Sequence, residues 1–358
     1  MNLIFFTKYT RVGASSRYRK YQYVPSLELS GAHVTISPLF GDAYLAYKYS
    51  HGRARIRDVI LAFVCRVWAI LKVSHDSVVV IEKELIPYFP ALFERWLVWR
   101  GIKIVVDFDD ALFHQYDIHP KKWVRRFLRN KIATVMRLAH TVTAGNKYLA
   151  DYALHAGASK VRIIPTVIDL ARYPARIEKG EADVINIGWI GSPSTSQYLR
   201  DIVPALARVC EGGRSILKTV GSGPVELPDV ALVVIPWTEE TEVEEINSFD
   251  IGIMPLRDEP WERGKCGFKL IQYMACGLPV VASPVGVNAT IVEHGVNGFL
   301  ATSICEWEQA LRTLAADPAL RMRMGLAGRA KVQTEFSLNI TAPQFAGWLH
   351  ETASGKGA

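Results

Sequence analysis

Residues 264–286 read Gly-Lys-Cys-Gly-Phe-Lys-Leu-Ile-Gln-Tyr-Met-Ala-Cys-Gly-Leu-Pro-Val-Val-Ala-Ser-Pro-Val-Gly and predict a glycine-rich loop, a helix and a strand in succession. The helix is predicted over 268–275, and Gly277 with the proline two residues later ends it. Lys265 and Lys269 add positive charge to the loop and the helix start. Because a helix start presents free backbone N–H groups, this pattern predicts a diphosphate site. It is also compatible with an ordinary loop–helix–strand unit of an α/β domain.

Apolar strands and helical stretches alternate over the whole chain. Strands are predicted at 3–7, 33–37, 77–81, 103–107 and 141–144, and then at 184–191, 218–221, 231–235, 251–254, 278–282 and 298–301. Helical stretches in the first series are predicted at 16–30, 55–72, 88–100 and 121–139. Such alternation is typical of right-handed βαβ units and parallel sheets. The sequence therefore predicts two doubly wound, Rossmann-like α/β domains, 1–165 and 184–343, joined by a linker at 166–183 and facing a ligand cleft.

Hydropathy and cysteine content indicate the cellular compartment in which we expect the chain. The chain has 358 residues, 49% of them hydrophobic, and a mean hydropathy of +0.11. Its longest apolar run, 59–71, is broken by Arg66 and is shorter than the roughly 20 residues that cross a bilayer. The first residues lack a basic leader and predict a strand instead of a signal peptide. The five cysteines show no paired or metal-like spacing, so we expect a reduced, cytoplasmic protein.

Charge is distributed unevenly along the chain. Residues 1–170 hold 25 Lys and Arg against 13 Asp and Glu (25 − 13 = +12), whereas 171–358 hold 17 against 22 (17 − 22 = −5). The basic half predicts an anionic partner such as a lipid surface or a phospholipid-linked acceptor. Two stretches that combine basic and aromatic residues, 53–72 and 121–137, suit a helix lying on an anionic membrane. Packing of their apolar faces in the core is the alternative, and no recognised nucleic-acid motif accompanies them.

Three ordered segments carry a family resemblance: 251–256, the run Met-Ala-Cys-Gly-Leu-Pro-Val-Val at 274–281, and 291–300. Together they resemble the donor-binding core of family-four glycosyltransferases, which are retaining enzymes with the GT-B fold. The resemblance implies transfer of a hexose from a nucleoside-diphosphate sugar without a metal ion or another cofactor. It also implies that a last helix, about 344–358, crosses back to the N-terminal domain.

The resemblance places donor-binding residues in several loops. Gly191, Ser192 and Thr195 follow the first strand of the second series, where they hold phosphate or form a plain capped turn. Gly221 lies in a Gly-x-Gly turn that is either structural or lines the base pocket. Trp237, with Thr238 beside it, either reads the base or packs in the core. The remaining predicted donor-binding residues are Lys265, Cys266, Gly267, Phe268, Lys269 and Gln272.

The chain departs from the family pattern around this loop. The family's two glutamates, spaced Glu-x7-Glu, would stand at Gly264 and Gln272. Gln272 retains the capacity to hydrogen-bond ribose hydroxyls. The family's arginine and lysine near the first strand are replaced by Ser192 and Gln197, so Lys265 and Lys269 are expected to supply the charge. Contacts to the sugar are left to three upstream carboxylates: Asp258, Glu259 and Glu262.

Catalytic candidates lie in the N-terminal half. Gly13, Ser15 and Arg17 follow the first strand and form either an anion-holding turn, with added charge from Arg19, or a capped helix start. The run 107–110, Asp-Phe-Asp-Asp, ends another strand, as does Glu-Lys-Glu at 82–84, a further candidate for the acceptor side.

The resemblance gives Asp109 the place where the family often has a histidine beside the sugar. It is predicted to position the acceptor hydroxyl, accept its proton or bind a donor-sugar hydroxyl. Asp110 is a second catalytic candidate or a helix cap, and Lys265 is expected to stabilise the leaving diphosphate. A metal-binding Asp-x-Asp pair, as in the GT-A fold, and a purely structural cluster are the alternatives.

We interpret the chain as a retaining glycosyltransferase at the inner membrane face. Its expected partners are a nucleotide-sugar donor, a glycan or polyprenyl-diphosphate-linked acceptor, and an anionic membrane surface, with surface polysaccharide as the product. Two other classes stay open: a sugar-nucleotide epimerase, which would leave the basic half unexplained, and a non-catalytic glycan-binding or scaffold protein, which the lost glutamates favour.

Overall fold

A computed structural model describes residues 1–174 and 184–354, and these form two compact units. The first unit comprises Met1–Thr166 and the chain from Asn339 onward, and the second comprises Val167–Leu338. Within the predicted linker, 175–183 lie outside the described residues, as do 355–358 of the predicted last helix.

The first unit is built on a six-stranded parallel sheet. Its strands are β1 (Asn2–Tyr9), β2 (His33–Phe40), β3 (Ser77–Glu82), β4 (Lys103–Phe108), β5 (Thr141–Ala144) and β6 (Val161–Ile163). They lie in the order β2-β1-β3-β4-β5-β6. The strand order reverses between β1 and β3, which is where ligands bind in doubly wound sheets. The middle residues of the inner strands, 78–81 of β3 and 104–106 of β4, are apolar and buried, as is typical of parallel sheets covered by helices on both faces.

Helices connect or follow these strands within residues 1–166. They are α1 (Ala14–Arg19), α2 (Val24–Leu29), α3 (Asp42–His51), α4 (Ile56–Leu71), α5 (Leu92–Trp99), α6 (His114–Asp117), α7 (Lys122–Leu128), α8 (Lys131–Leu138) and α9 (Lys147–His155). A 3-10 turn, Tyr21–Tyr23, separates α1 from α2, so the stretch predicted at 16–30 is interrupted. The stretch predicted at 121–139 is likewise two helices, α7 and α8.

The second unit repeats the architecture. Its strands are β7 (Ile185–Ile190), β8 (Ser215–Val220), β9 (Leu232–Ile235), β10 (Ile251–Met254), β11 (Val280–Ala282) and β12 (Gly298–Leu300), in the order β12-β11-β10-β7-β8-β9. Its helices are α10 (Val203–Cys210), α11 (Glu242–Asn247), α12 (Pro260–Arg263), α13 (Phe268–Ala275), α14 (Asn288–Ile291), α15 (Ile304–Ala316) and α16 (Pro318–Glu335), with 3-10 turns at Leu170–Arg172 and Ser196–Ile202. Here the strand order reverses between β7 and β10.

Tyr273 fixes α13 on this second sheet. Its ring lies against Gly252 of β10, where an added Cβ would come within 2.4 Å of the ring carbons. Its hydroxyl accepts a hydrogen bond from the Ile190 amide at the end of β7, over 2.9 Å. The start of α13 is therefore held beside the reversal point between β7 and β10.

The last helix, α17 (Leu338–Ser354), packs on the first unit. The Tyr23 hydroxyl hydrogen-bonds with Thr341 over 3.2 Å, and its ring meets Phe345 edge-on. Near the other end of α17, the Lys103 ammonium donates to the Ala353 carbonyl over 3.0 Å. No helix within 1–174 or 184–354 combines the length and apolarity needed to cross a membrane.

Candidate functional site

A pocket opens at the carboxyl ends of β7 and β10, where the order of the second sheet reverses. It is lined by Trp189, Thr195, Tyr198, Met254, Pro255, Leu256, Lys265 and Lys269. Three residues predicted to bind the donor, Thr195 and the two lysines, thus share one pocket. Both lysines are partly exposed. Two cations beside a helix start favour a diphosphate over an uncharged ligand.

Glycines allow the loops around this pocket to approach one another. The Lys269 ammonium lies 5.4 Å from the centroid of the Trp189 ring. A Cβ on Gly191 would come within 2.6 Å of that ring and 2.8 Å of Lys269 Cε. Gly221 has φ of +74°, and a Cβ there would lie 2.5 Å from the Gly191 carbonyl oxygen. Larger residues at either position would separate the two loops.

The glycine-rich loop begins α13 with Gly267 in the left-handed region, at φ +65°. A Cβ there would come within 2.3 Å of the Ile291 side chain. Cys266 is buried, with its thiol directed at the Gly264 carbonyl over 3.9 Å, so it offers a ligand only its backbone. Phe268 is half-buried, and the first turn of α13 holds no acidic residue that would repel an anion.

Gln272 occupies a buried network instead of an open ligand position. Its side-chain N–H donates to the Tyr173 hydroxyl over 3.0 Å, and that hydroxyl donates to Glu242 over 3.0 Å. The Trp237 indole N–H donates to the other oxygen of Glu242 over 2.7 Å. Two residues predicted as separate ligand contacts are thus joined through two residues that the sequence analysis missed. In the sequence, Glu242, the acidic residue that begins α11, is the feature that could have indicated this network.

The hydroxyl groups in the donor loops close local turns. Thr195 donates both its backbone N–H and its hydroxyl to the Ser192 carbonyl, over 2.9 and 3.0 Å. The Ser192 hydroxyl hydrogen-bonds with Ser194, and the Thr238 hydroxyl accepts from the Thr241 amide over 3.2 Å. These contacts match the capped-turn interpretation of the loop, while Thr195 also lines the pocket.

The three upstream carboxylates differ in environment. Asp258 is exposed and pairs with Arg263 over 2.7 Å, and Glu259 is exposed at the start of α12. Glu262 is buried and accepts a hydrogen bond from the hydroxyl of Tyr198, a pocket residue. Its Oε2 atom has no hydrogen-bond partner within the described chain. Burial and the neighbouring Glu262 raise the pKa of Tyr198. Of the three, Glu262 is the carboxylate joined to the pocket wall.

In the first unit, Asp107 forms a buried ion cluster. It accepts two hydrogen bonds from the Arg19 guanidinium, one from Lys20 over 2.7 Å and one from Thr143 over 2.6 Å. Burial would raise its pKa, but the charges of Arg19 and Lys20 outweigh burial and hold the pKa well below its usual range. The expectation that Arg19 charges an anion-binding turn is therefore wrong, because its guanidinium is bound to Asp107.

Asp109 and Asp110 face a different cation, Lys83. The Lys83 ammonium lies 2.8 Å from Asp109 and 3.1 Å from Asp110, and Ser15 also hydrogen-bonds to Asp109. Burial would raise the pKa of Asp109, but the charges of Lys83 and Arg19 and these hydrogen bonds lower it. The carboxylates of the 107–110 run are thus divided between separate cations instead of converging as metal ligands. No group of three metal-ligating side chains occurs in 1–174 or 184–354.

The turn after β1 is tight. Gly13 donates to the Thr10 carbonyl over 3.1 Å, and a Cβ on Gly13 would lie 2.5 Å from the Tyr9 Cβ. Gly13 precedes α1 without a capping side chain. Arg17 is buried, with its guanidinium 4.7 Å from the Tyr18 ring centroid. Of the three residues predicted here, Ser15 is the one the structure brings to a catalytic candidate.

Comparisons with known proteins agree with this geometry. Residues 183–317 match the family described as glycosyl transferases group 1. A D-inositol 3-phosphate glycosyltransferase of Actinosynnema mirum is 28% identical over 224 residues, which are 54% of this chain and 51% of that protein. The amylovoran biosynthesis glycosyltransferase AmsK of Erwinia amylovora is 39% identical over 92 residues, 24% of this chain and 21% of that protein. The chain thus spans about half, or less, of the curated relatives it matches.

Among solved structures, Anabaena Alr3699/HepE in complex with UDP and glucose is similar over 98% of this chain and 100% of its own, with a TM-score of 0.70 and 18% identity. The fold is therefore GT-B, as the sequence predicts. The match to the glycosyl transferases group 1 model covers most of the second unit, 183–317, and the solved structures share the two-domain fold.

Proposed function

We propose that this protein transfers a hexose from a nucleoside-diphosphate sugar to an acceptor, with retention of anomeric configuration. One observation carries the proposal: Lys265 and Lys269 line a single pocket beside the start of α13, at the reversal point of the second sheet. Their charges, beside the positive end of the α13 dipole, would neutralise the diphosphate as the glycosidic bond breaks. The chemistry we propose therefore requires no metal ion.

The donor we favour is a uridine diphosphate hexose. Its support is the structural relative that carries UDP and glucose, together with the proposed anion site. We propose that the sugar hydroxyls are bound by Glu262, which accepts a hydrogen bond from the pocket residue Tyr198 and whose Oε2 has no hydrogen-bond partner within 1–174 and 184–354. A buried carboxylate oxygen without a partner gains a hydrogen bond when a hydroxyl donor arrives.

We propose that Asp109 binds the acceptor. The carboxylate is held ionised, so it can accept a hydrogen bond from an acceptor hydroxyl and orient it. We propose a lipid-linked glycan as the acceptor and surface polysaccharide as the product. The name of the Erwinia amylovora relative supports this class of product.

A membrane surface is the proposed location of the acceptor. The apolar residues Ile56, Ile60, Leu61, Val64, Trp68 and Leu71 of α4 are more than half exposed. Arg53, Arg55 and Arg57 lie exposed at its N-terminal end. On α7, Trp123 and Phe127 are 54% and 73% exposed, whereas Val124 and Leu128 are buried. Exposed aromatic residues among basic ones are typical of helices that lie on anionic lipid.

One basic residue of this region is not available to lipid. Lys131 is buried and donates to Glu84 and to the Ile86 carbonyl. Its charge therefore serves the interior of the first unit. The membrane-facing set we propose on α7 consists of Lys121, Lys122, Trp123, Arg126 and Phe127, which are all exposed.

A transfer assay tests the function. The purified chain is incubated with UDP-hexoses and a polyprenyl-diphosphate-linked acceptor in anionic vesicles, beside a Lys265→Ala/Lys269→Ala variant and a Lys147→Ala control. Lys147 is exposed on α9, far in sequence from the pocket. We expect a glycosylated lipid from the unaltered protein and the control only. Epimerised donor without transfer would favour an epimerase, and binding without any turnover would favour a scaffold.

A further inference from the structure

Glu82, the last residue of β3, and Lys83, which follows it, connect the turn after β1 with the carboxylates after β4. β3 lies between β1 and β4, so its carboxyl end faces both the turn after β1 and the carboxylates after β4. Glu82 contacts that turn, and Lys83 contacts the carboxylates. Both side chains are buried, although the first sheet reverses its strand order beside them.

Glu82 fixes the turn after β1. One of its oxygens accepts from the Ser16 hydroxyl over 2.7 Å and from the Lys8 amide over 3.0 Å. Its other oxygen, Oε1, is buried and has no hydrogen-bond partner among the described residues. Because Ser16 follows Ser15, this contact also places the residue that hydrogen-bonds to Asp109.

Lys83 reaches Asp109 and Asp110 through an uncommon backbone conformation. Its φ is +67°, in the left-handed region that residues other than glycine seldom adopt. Its amide still donates to the Asp107 carbonyl over 2.9 Å, so the sheet contact with β4 is kept. The bend delivers its ammonium between Asp109 and Asp110, where its side chain is only 8% exposed. Neighbouring structure must compensate the strain of such a conformation.

We propose that Lys83 is a positioning residue for sugar transfer, which holds the Asp109 carboxylate ionised and oriented toward the acceptor hydroxyl. The inference rests on the proposed function, since it assigns Lys83 a role through Asp109. Other charged groups act on Asp109 as well. Arg19 adds positive charge from α1 but is bound to Asp107, while Asp110, in the turn after β4, and Glu82, at the end of β3, add negative charge.

Removing the Lys83 charge would leave Asp109 beside the carboxylates of Asp110 and Glu82, with the positive charge of Arg19 already bound to Asp107. The proton affinity of Asp109 would then rise, because like charges and burial both disfavour ionisation. A reaction that needs ionised Asp109 is lost as pH falls through the pKa of that group. A raised pKa moves this loss to higher pH, so the acidic limb of the activity profile shifts upward.

The test measures kcat and acceptor KM from about pH 3 to pH 9 for Lys83→Met, Lys83→Arg and the unaltered protein, with UDP-hexose and lipid-linked acceptor, because the acidic limb of a group with a lowered pKa lies below pH 5. We expect Lys83→Met to lose about 10–100-fold in kcat at pH 7 and to shift the acidic limb upward by about one pH unit or more. Lys83→Arg should keep most of the kcat and should leave the acidic limb close to its position in the unaltered protein. UDP affinity, which depends on the second unit, should stay unchanged, and circular dichroism with thermal unfolding of the whole chain reports that the first unit of each variant is folded.

If Lys83→Met does not fold, kcat of Lys83→Gln and of Lys83→Gln/Asp109→Asn is compared with that of Asp109→Asn. A positioning role predicts that the double variant loses no more than Asp109→Asn alone. Additive losses, or an acidic limb that stays in place in Lys83→Met, would overturn the role of Lys83 while transfer itself stands. Absence of transfer by the unaltered protein at every pH would overturn the proposed function and this inference together.

Discussion

The side-chain amide of Gln272 donates a hydrogen bond to the hydroxyl of Tyr173, 99 residues earlier in the chain, over 3.0 Å. Tyr173 in turn donates to Glu242, which also accepts from Trp237. The glutamine that replaces a family carboxylate is therefore part of the framework behind α13. A carboxylate at this position would find no donor in Tyr173, whose proton is already given to Glu242.

Gln272→Glu should consequently destabilise the protein. We expect the free energy of unfolding to fall by about 1–3 kcal/mol at pH 7, because a buried carboxylate would replace the donor to Tyr173. Burial raises the pKa of such a carboxyl group, so the loss should shrink as pH falls toward 5. Denaturant unfolding at both pH values checks this. Gln197 is exposed, so Gln197→Glu is the matched control, and equal effects of the two changes would show that the Gln272–Tyr173 hydrogen bond does not stabilise the fold.

The two pocket lysines should determine nucleotide affinity. Lys265→Ala and Lys269→Ala are each expected to weaken UDP binding about tenfold, which corresponds to about 1.4 kcal/mol for one charge-assisted contact. Titration calorimetry measures the affinity directly. The increase in melting temperature produced by UDP should shrink in parallel. Lys147→Ala should bind as the unaltered protein does, and unchanged binding by both pocket variants would place the nucleotide elsewhere.

Close packing of the donor loops makes Gly221 sensitive to substitution. Gly221→Ala combines a left-handed backbone with a Cβ 2.5 Å from the Gly191 carbonyl oxygen. Gly213 has a similar φ, +73°, but a Cβ there meets nothing within 4 Å. We expect Gly213→Ala to cost about 1 kcal/mol in unfolding free energy, and Gly221→Ala to cost about 1–3 kcal/mol more. Chemical denaturation compares the pair, and equal losses would show that the loops are not tightly packed.

The exposed aromatic residues of α7 should contribute to lipid binding. Trp123→Ala and Phe127→Ala are each expected to weaken binding to anionic vesicles about tenfold, since each removes about 1.5–3 kcal/mol of apolar burial at most. Sedimentation with vesicles at low and physiological salt measures this. Leu326→Ala, a change of a residue 65% exposed on the second unit, is the control. Binding that survives both aromatic changes would exclude α7 as the contact.

Sequence patterns predicted most strands of the two sheets, because buried parallel strands such as Ser77–Glu82 contain short apolar runs bounded by turns. They missed Val161–Ile163, a three-residue edge strand that is partly exposed and not continuously apolar. They also placed Lys265, Lys269 and Thr195 in one site, because the carboxyl ends of parallel strands converge.

Partners distant in sequence could not be predicted. Lys83 contacts Asp109, Arg19 contacts Asp107 and Gln272 contacts Tyr173, and each pair is joined only by the packing of separate strands and helices. Local patterns contain no information on which cation neutralises which carboxylate. For this reason metal binding by the 107–110 run stayed open as an alternative. For the same reason Arg19 was predicted to add charge to an anion-binding turn, whereas it binds Asp107.

The most direct test of sugar transfer from the Lys265–Lys269 pocket is the NMR spectrum of the reaction product. UDP-hexose and lipid-linked acceptor are followed with the unaltered protein and with Lys265→Ala/Lys269→Ala. We expect a new glycosidic linkage with the donor's anomeric configuration, formed at least about 100-fold more slowly by the double variant, as expected for two contacts of about 1.4 kcal/mol each. A linkage of inverted configuration, or equal rates from the two proteins, would contradict the proposal.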